Sequence, residues 1–196
     1  GKTEFINDPE AIERASKSVV ELTVYNRQNE VVGTGSGFFA FDGKTIVTNY
    51  HVIKNAYRIE MSDDNDNKCD VAKIYNVNPD MDIAIILLED KYAKKEDYVP
   101  FVMADSMDLL RGESVVAIGS PLGIKNTIST GTISNFVEES GVNMIQFTAA
   151  MSSGSSGGAL LNNNGEIIGM TSASYIGGQN LNLAIPSNEI KDLYEQ

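Results

Sequence analysis

Histidine and cysteine each occur once in this chain, and tryptophan does not occur at all. The lone cysteine, Cys69, permits no internal disulfide. One histidine and one cysteine are too few ligands for a zinc site, so no metal is expected, and nothing calls for an organic cofactor. Basic residues are also scarce. Fifteen Lys and Arg face 27 Asp and Glu, a net charge of −12. That argues against a nucleic-acid binder, which needs a basic face to track phosphates. No apolar run approaches the roughly 20 residues of a membrane span, so no integral membrane segment is read. No basic stretch leading into an apolar one opens the chain, so no signal peptide is read either. Helical patterns are confined to the two ends. At the first, "DPEAIERA", Asp8 can cap and Pro9 suits the first helical position. The second is "SNEIKDLYEQ".

Short strands fill the space between. The hydrophobic share of 42% and charged share of 21% suit a globular protein with a real core. Apolar and β-branched runs recur: "SVVELTVY", "GSGFFAF", "TIVT", "YRIEM", "KIYNV" and "DIAIILLE". A second series follows: "ESVVAIGS", "TISTGTISNFV", "NMIQFT", "GALL", "EIIGMTS" and "NLAIP". Turn residues punctuate both, and Asn164-Gly165 between "ALLN" and "EIIGM" is a hairpin signal. The pattern predicts an all-β fold of barrels or sandwiches. The polar segment "KYAKKEDYVPF" separates two strand series of about equal length, over about residues 18–95 and 101–186, which suits two barrels, with a helix at 187–196.

Within the second series lies "SSGSSGGAL", residues 152–160. Alone it reads as a flexible spacer. Between two core strands it must instead be a tight ordered loop, whose glycines serve special backbone angles or close approach. It contains G-x-S-G-G, Gly154 to Gly158. A nucleophilic serine needs a general base within reach and backbone N–H groups aimed at a developing oxyanion. A glycine-rich turn leaves such N–H groups unobstructed. If an imidazole is the base, it is His51 in "TNYHV". A carboxylate should orient it. Asp82 in "DMDIAII", at the edge of a buried strand, is favoured over Asp80 and Asp70. Among the serines, only Ser156 stands before Gly-Gly and after Gly-x, which sets it apart from Ser152, Ser153 and Ser155. His51, Asp82 and Ser156 then run in the order of one known triad arrangement. Two other motifs fail. "GTGSGF" has Phe38 where a phosphate loop needs its third glycine, and reads better as a strand bent at its glycines. "DDNDNKCD" has Lys68 where a calcium loop needs glycine.

Together with "AIGSPLG", "STGTIS", "QFTAAM" and "NLAIPSNEI", these motifs make the chain resemble a trypsin-like serine protease domain of the HtrA/Deg type, over roughly residues 18–190. The resemblance implies one domain, 1–196, of two antiparallel six-stranded barrels with the active site between them. It implies a serine endopeptidase acting on unfolded or extended polypeptides. His51 and Asp82 would come from the first barrel and Ser156 from the second. The oxyanion hole would be the N–H groups of Gly154 and Ser156, with that of Ser155 nearby. Ala150 would floor the specificity pocket, with Met151 and Leu183 lining it. Substrate would add a strand along Ser172, Ala173 and Ser174. The family resemblance also implies an extracytoplasmic location and a homo-trimer. Three positions depart from the family's usual residues: Thr148, Ser153 and Ser155. None removes a catalytic group. The Ile-Val-Gly-Gly start of digestive proteases is missing, so activation by terminal cleavage is not expected. A non-catalytic peptide-binding module on the same fold remains the alternative. An esterase is weaker, since its triad runs in another order.

Overall fold

The computed structural model describes residues 3–121, 126–152, 154–176 and 179–196. After a single 3₁₀ turn at Phe5–Asn7 comes α1 (Pro9–Ser16), whose first turn is capped by Asp8 Oδ1 accepting from the Ala11 N–H at 3.1 Å. The first barrel follows: β1 (Val19–Tyr25), β2 (Val31–Phe39), β3 (Thr45–Thr48), β4 (Arg58–Ser62), β5 (Lys68–Asn78) and β6 (Ile83–Leu88). The second holds β7 (Ser114–Gly119), β8 (Thr127–Glu139), β9 (Val142–Phe147), β10 (Ala159–Leu161), β11 (Ile167–Ile176) and β12 (Gln179–Pro186). Each set closes into an antiparallel barrel, in the orders β1-β2-β3-β6-β5-β4 and β10-β11-β12-β9-β8-β7. Asn164-Gly165 does turn a hairpin between β10 and β11, with Gly165 at φ +73°.

The expectation that helices occur only at the two ends is wrong. Two more lie between the strands, α2 (Tyr50–Ile53) and α3 (Asp90–Glu96), besides the C-terminal α4 (Ser187–Glu195). Both missed helices are too short for a 3.6-residue period to show in sequence. α2 is a single turn at the end of β3. α3 occupies the polar segment between the barrels and ends at Asp97 in the left-handed region, φ +54°.

Strand alternation explains why so many runs are apolar without interruption. In β6, Ala84, Ile86 and Leu88 fill the first barrel, while Ile83 and Ile85 face a separate cluster. In β7, Val115 and Ala117 fill the second barrel, while Val116 and Ile118 face that same separate cluster. This largest cluster lies between the barrels, joining Phe38, Val47 and Ile85 to Ile118, Met170 and Ile185. A strand buried on both faces loses the polar half of its alternation. Cutting Ile118, 1% exposed, to alanine should cost about 2–5 kcal/mol.

The ends and the connection tie the barrels together. Phe5 donates its N–H to the Asn163 carbonyl at 3.0 Å and packs against Gly165, so the "EFIN" segment is used within the chain. The Phe101 N–H bonds the Phe39 carbonyl at 2.8 Å, and the Ala104 N–H bonds the Ile167 carbonyl at 2.8 Å. α4 leaves the second barrel and docks on the first. Tyr194 stacks on Phe41 with ring centroids 3.8 Å apart. The Tyr75 hydroxyl and the Asn76 amide donate to the carbonyls of Tyr194 and Leu193, at 3.0 and 3.2 Å. Those carbonyls lie in the last turn of α4, where the helix supplies no i+4 donor.

Candidate active site

The single histidine stands on α2, directly after the buried strand β3. Buried Thr45–Thr48 fixes where that turn begins. Asp82 precedes β6, the neighbour of β3, so the two side chains meet across one strand pair. The Asp82 carboxylate accepts twice from one residue. Oδ1 takes the His51 backbone N–H at 2.7 Å, and Oδ2 lies 2.6 Å from Nδ1 of its ring. A carboxylate only accepts, so Nδ1 carries the proton and Nε2 is left with its lone pair. The His51 side chain is 52% exposed, which leaves that ring edge accessible. Asp82 itself is left-handed, φ +59°, a conformation that Asp tolerates better than most residues. It is held there from behind. The Tyr50 N–H and the Asn49 side-chain amide both donate to its carbonyl, at 3.1 and 3.2 Å.

The glycine-rich segment is an ordered loop of the second barrel. Gly154 and Gly157 have φ +86° and +90°, where glycine alone is unstrained. Gly157 has a second constraint, because a Cβ there would collide with the Ser36 carbonyl of β2. Ser155 is buried. Its hydroxyl lies 2.9 Å from that of Ser152, and its carbonyl accepts from Thr171 Oγ1 at 3.0 Å. Ser156 is half-buried, and its carbonyl accepts the Ser36 N–H at 2.9 Å. Ser153, one of the rival serines, lies outside the described residues.

The expected substrate-binding residues divide. β11 pairs with β10 only as far as Met170, and the Thr171 N–H bonds the Gly158 carbonyl at 3.0 Å. Past Thr171, β12 is the one strand pairing with β11 among the described residues, matching Ser172 with Leu183, Ala173 with Asn182 and Ser174 with Leu181. Among the described residues no strand pairs with the other edge along Ser172, Ala173 and Ser174, where an added strand would lie. The side chains of Ala173 and Ser174 are outside what is described. A cleft of about 420 Å³ opens beside Ser172, lined by Asp80, Asp82, Glu139 and Met144.

Ala149 is fully buried, Ala150 exposed, and Met151 packs against the cluster that holds Ala149, Ile145 and Phe147. Leu183 does not join them. It points into the cluster between the barrels, and strand alternation makes Asn182 and Ala184 the residues on the Ala149 side. Asn182 Nδ2 bonds the Ala149 carbonyl at 3.0 Å. Sequence reasoning missed Asn182, Asn49 and Ser36. The first follows from parity once β12 is known. The other two are signalled only by standing in "TNYH" and "GSG".

Two six-stranded barrels with a His–Asp pair on one and a glycine-framed serine loop on the other make a chymotrypsin-like double barrel. An HtrA-type protease solved with a tripeptide has this fold, at a TM-score of 0.80 and 23% identity, over 94% of this chain and 61% of that one. The family model described as "Trypsin-like peptidase domain" matches residues 35–170, and the chain belongs to that family. Serine protease HTRA1A of Danio rerio is 35% identical over 97% of this chain and 40% of its own length. Periplasmic serine endoprotease DegP of Escherichia coli K12 is 36% identical over 87% of this chain and 37% of its own length. The chain thus spans about two-fifths of the length of the relatives it matches.

Proposed function

We propose that this chain is a serine endopeptidase domain acting on extended polypeptides. The observation that carries this reading is the double hold of Asp82 on His51, through Nδ1 at 2.6 Å and the backbone N–H at 2.7 Å. A residue held once by its ring and once by its backbone, with the other ring nitrogen left to accept, suits a general base. In this reading Ser156 Oγ attacks the peptide carbonyl and His51 Nε2 takes its proton, later passing it to the leaving amine. Asp82 stabilises the imidazolium without taking a proton. The N–H groups of Gly154 and Ser156 receive the oxyanion, each such donor contributing about 3–4 kcal/mol to the transition state. Ala150 and Met151 face the side chain at the cleaved position. The edge of β11 opposite β12, at Ser172, Ala173 and Ser174, takes the substrate backbone.

Polypeptide substrates and an extracytoplasmic site of action go with this reading, because the relatives are named serine proteases and one is named periplasmic. A homo-trimer is the assembly the family resemblance implies. No described helix is long and apolar enough to cross a membrane.

A fluorophosphonate probe tests the chemistry. Wild type should be labelled at Ser156, found by peptide mass mapping, and should cleave casein. Ser156→Ala should do neither while unfolding at the same temperature. A folded wild type that never takes the label would favour the peptide-binding alternative. Casein cleavage undiminished in Ser156→Ala would assign the nucleophile elsewhere.

A further inference from the structure

The loop that carries Ser156 in the second barrel is fastened to one residue of the first. Ser36 lies on β2 between Gly35 and Gly37 and is fully buried. Every hydrogen-bonding group it has is engaged. Its N–H donates to the Ser156 carbonyl at 2.9 Å. Its hydroxyl donates to the Gly154 carbonyl at 2.9 Å and accepts the Ser120 N–H at 2.9 Å. Its carbonyl accepts from Thr48 Oγ1 at 2.8 Å, and Thr48 ends the strand that leads into His51. One buried serine therefore links the loop of the nucleophile to the strand of the base.

The bond to Gly154 has a particular consequence. Glycine has the widest backbone freedom of any residue, and Gly154 sits at φ +86°. Its orientation has to be imposed from outside. The Ser36 hydroxyl fixes the plane of the peptide joining Gly154 to Ser155, and the Ser36 N–H fixes the carbonyl of Ser156. The loop is held on both sides of the Ser155–Ser156 peptide, which carries the Ser156 N–H. That N–H and the Gly154 N–H would receive the oxyanion, and donors of that kind act only if aimed beforehand.

We propose that Ser36 is a positioning residue for the oxyanion-binding loop. It touches no reacting atom, and it works by setting the peptide planes on either side of the Ser155–Ser156 peptide. This rests on the serine-protease reading above. Ser36→Ala keeps both main-chain bonds of residue 36. It deletes the donor to Gly154 and leaves the Ser120 N–H without its acceptor. The loss should fall on the transition state and spare the ground state.

The experiment compares wild type and Ser36→Ala on one short peptide substrate. It reads kcat, KM, the acid limb of the pH–rate profile, and inhibition by a peptide boronate that bonds Ser156 and places an oxygen in the oxyanion site. The expected result is a fall in kcat of about tenfold or more. The boronate should weaken by a similar factor, with KM and the acid limb unchanged, because Ser36 reaches neither the substrate edge nor the His51 ring. If the alanine variant does not fold, Ser36→Cys decides, since a thiol fills nearly the same space but donates weakly. It should fold and show the same pattern at smaller size. Wild-type kcat and boronate affinity in a folded variant would overturn the role. So would parallel changes in KM and the acid limb, which mean general loosening. Fluorophosphonate labelling of wild type separates the two claims. An unlabelled wild type removes the protease reading and this role together. With a labelled wild type the protease reading stands, and the variants alone decide the role of Ser36.

Discussion

Asp82 grips His51 by two atoms of the same residue, the ring Nδ1 at 2.6 Å and the backbone N–H at 2.7 Å. The second contact does what the first cannot. Nδ1 fixes the tautomer, whereas the backbone bond fixes where α2 begins. Asparagine tolerates the left-handed φ of +59° at position 82 about as well as aspartate does, so Asp82→Asn should fold. Its amide can present an N–H to the ring and favour the wrong tautomer. The expected loss in kcat is about 10⁴-fold, the size of the loss that the same change causes in a trypsin-type triad. The wild-type acid limb should follow a single proton, because the base works only when unprotonated and the chain has one histidine. A pH–rate profile on a short peptide, with folding checked at each pH, reads both. A steeper limb in folded protein would require a second essential group.

How much of this is legible in the sequence depends on the range of the force involved. The strands follow from apolar runs and turn residues, which act locally, whereas their closure into two six-stranded barrels is what the family resemblance implies. The candidate triad residues stand in short motifs that keep their meaning without a structure. α2 and α3 are not legible, because one or two helical turns carry no detectable period. The side of β12 facing Ala149 is misread at Leu183. With both strand faces buried, apolarity no longer tells inside from outside, and only parity from a known neighbour does. Ser36 and Asn49 are invisible for another reason: each acts through bonds to residues 33 to 120 positions away.

Asn49 offers a second test of how Asp82 is supported. It is fully buried, its amide nitrogen bonds the Asp82 carbonyl at 3.2 Å, and its amide oxygen has no hydrogen-bond partner among the described residues. Asn49→Ala removes one good bond together with one unsatisfied buried atom, so the net stability change should stay within about 2 kcal/mol. Activity should suffer more, because the left-handed turn at Asp82 loses a support. A kcat fall of about tenfold with KM held is expected. Urea unfolding alongside peptide hydrolysis measures both. A variant that loses stability but keeps full kcat would confine Asn49 to folding.

Cys69 should be a poor nucleophile. Burial, aided by the nearby carboxylates of Asp70 and Glu89, pushes its thiol up from 9.0 to about 12. Thiolate is the reactive form, and a rise of three units leaves about a thousandfold less of it at pH 8. Iodoacetamide should therefore modify the folded protein at least a hundredfold more slowly than a free cysteine peptide, and at the ordinary rate in urea. Equal rates before and after unfolding would place Cys69 in an open, polar setting.

Substrate preference follows from what the wall of the second barrel lacks. Ala149 is buried, Ala150 exposed, and Met151 packs against the cluster that holds Ala149. The neighbouring Asn182 already spends its amide N–H on the Ala149 carbonyl at 3.0 Å. None of these carries a charge. A Lys or Arg side chain bound here would be a cation leaving water without a partner, which costs far more than the apolar stem returns. Val, Ala and Leu should therefore dominate at the cleaved position in a peptide-library profile. An Arg or Lys profile would refute the assignment. The converse variant makes the same point from the other side. Ala150 is exposed, so Ala150→Asp should fold, and it supplies the missing carboxylate. A charge-assisted hydrogen bond contributes about 1.5–3 kcal/mol, so kcat/KM for Lys or Arg relative to Val should rise about tenfold or more. If the profile of Ala150→Asp matches that of wild type, Ala150 does not floor the pocket.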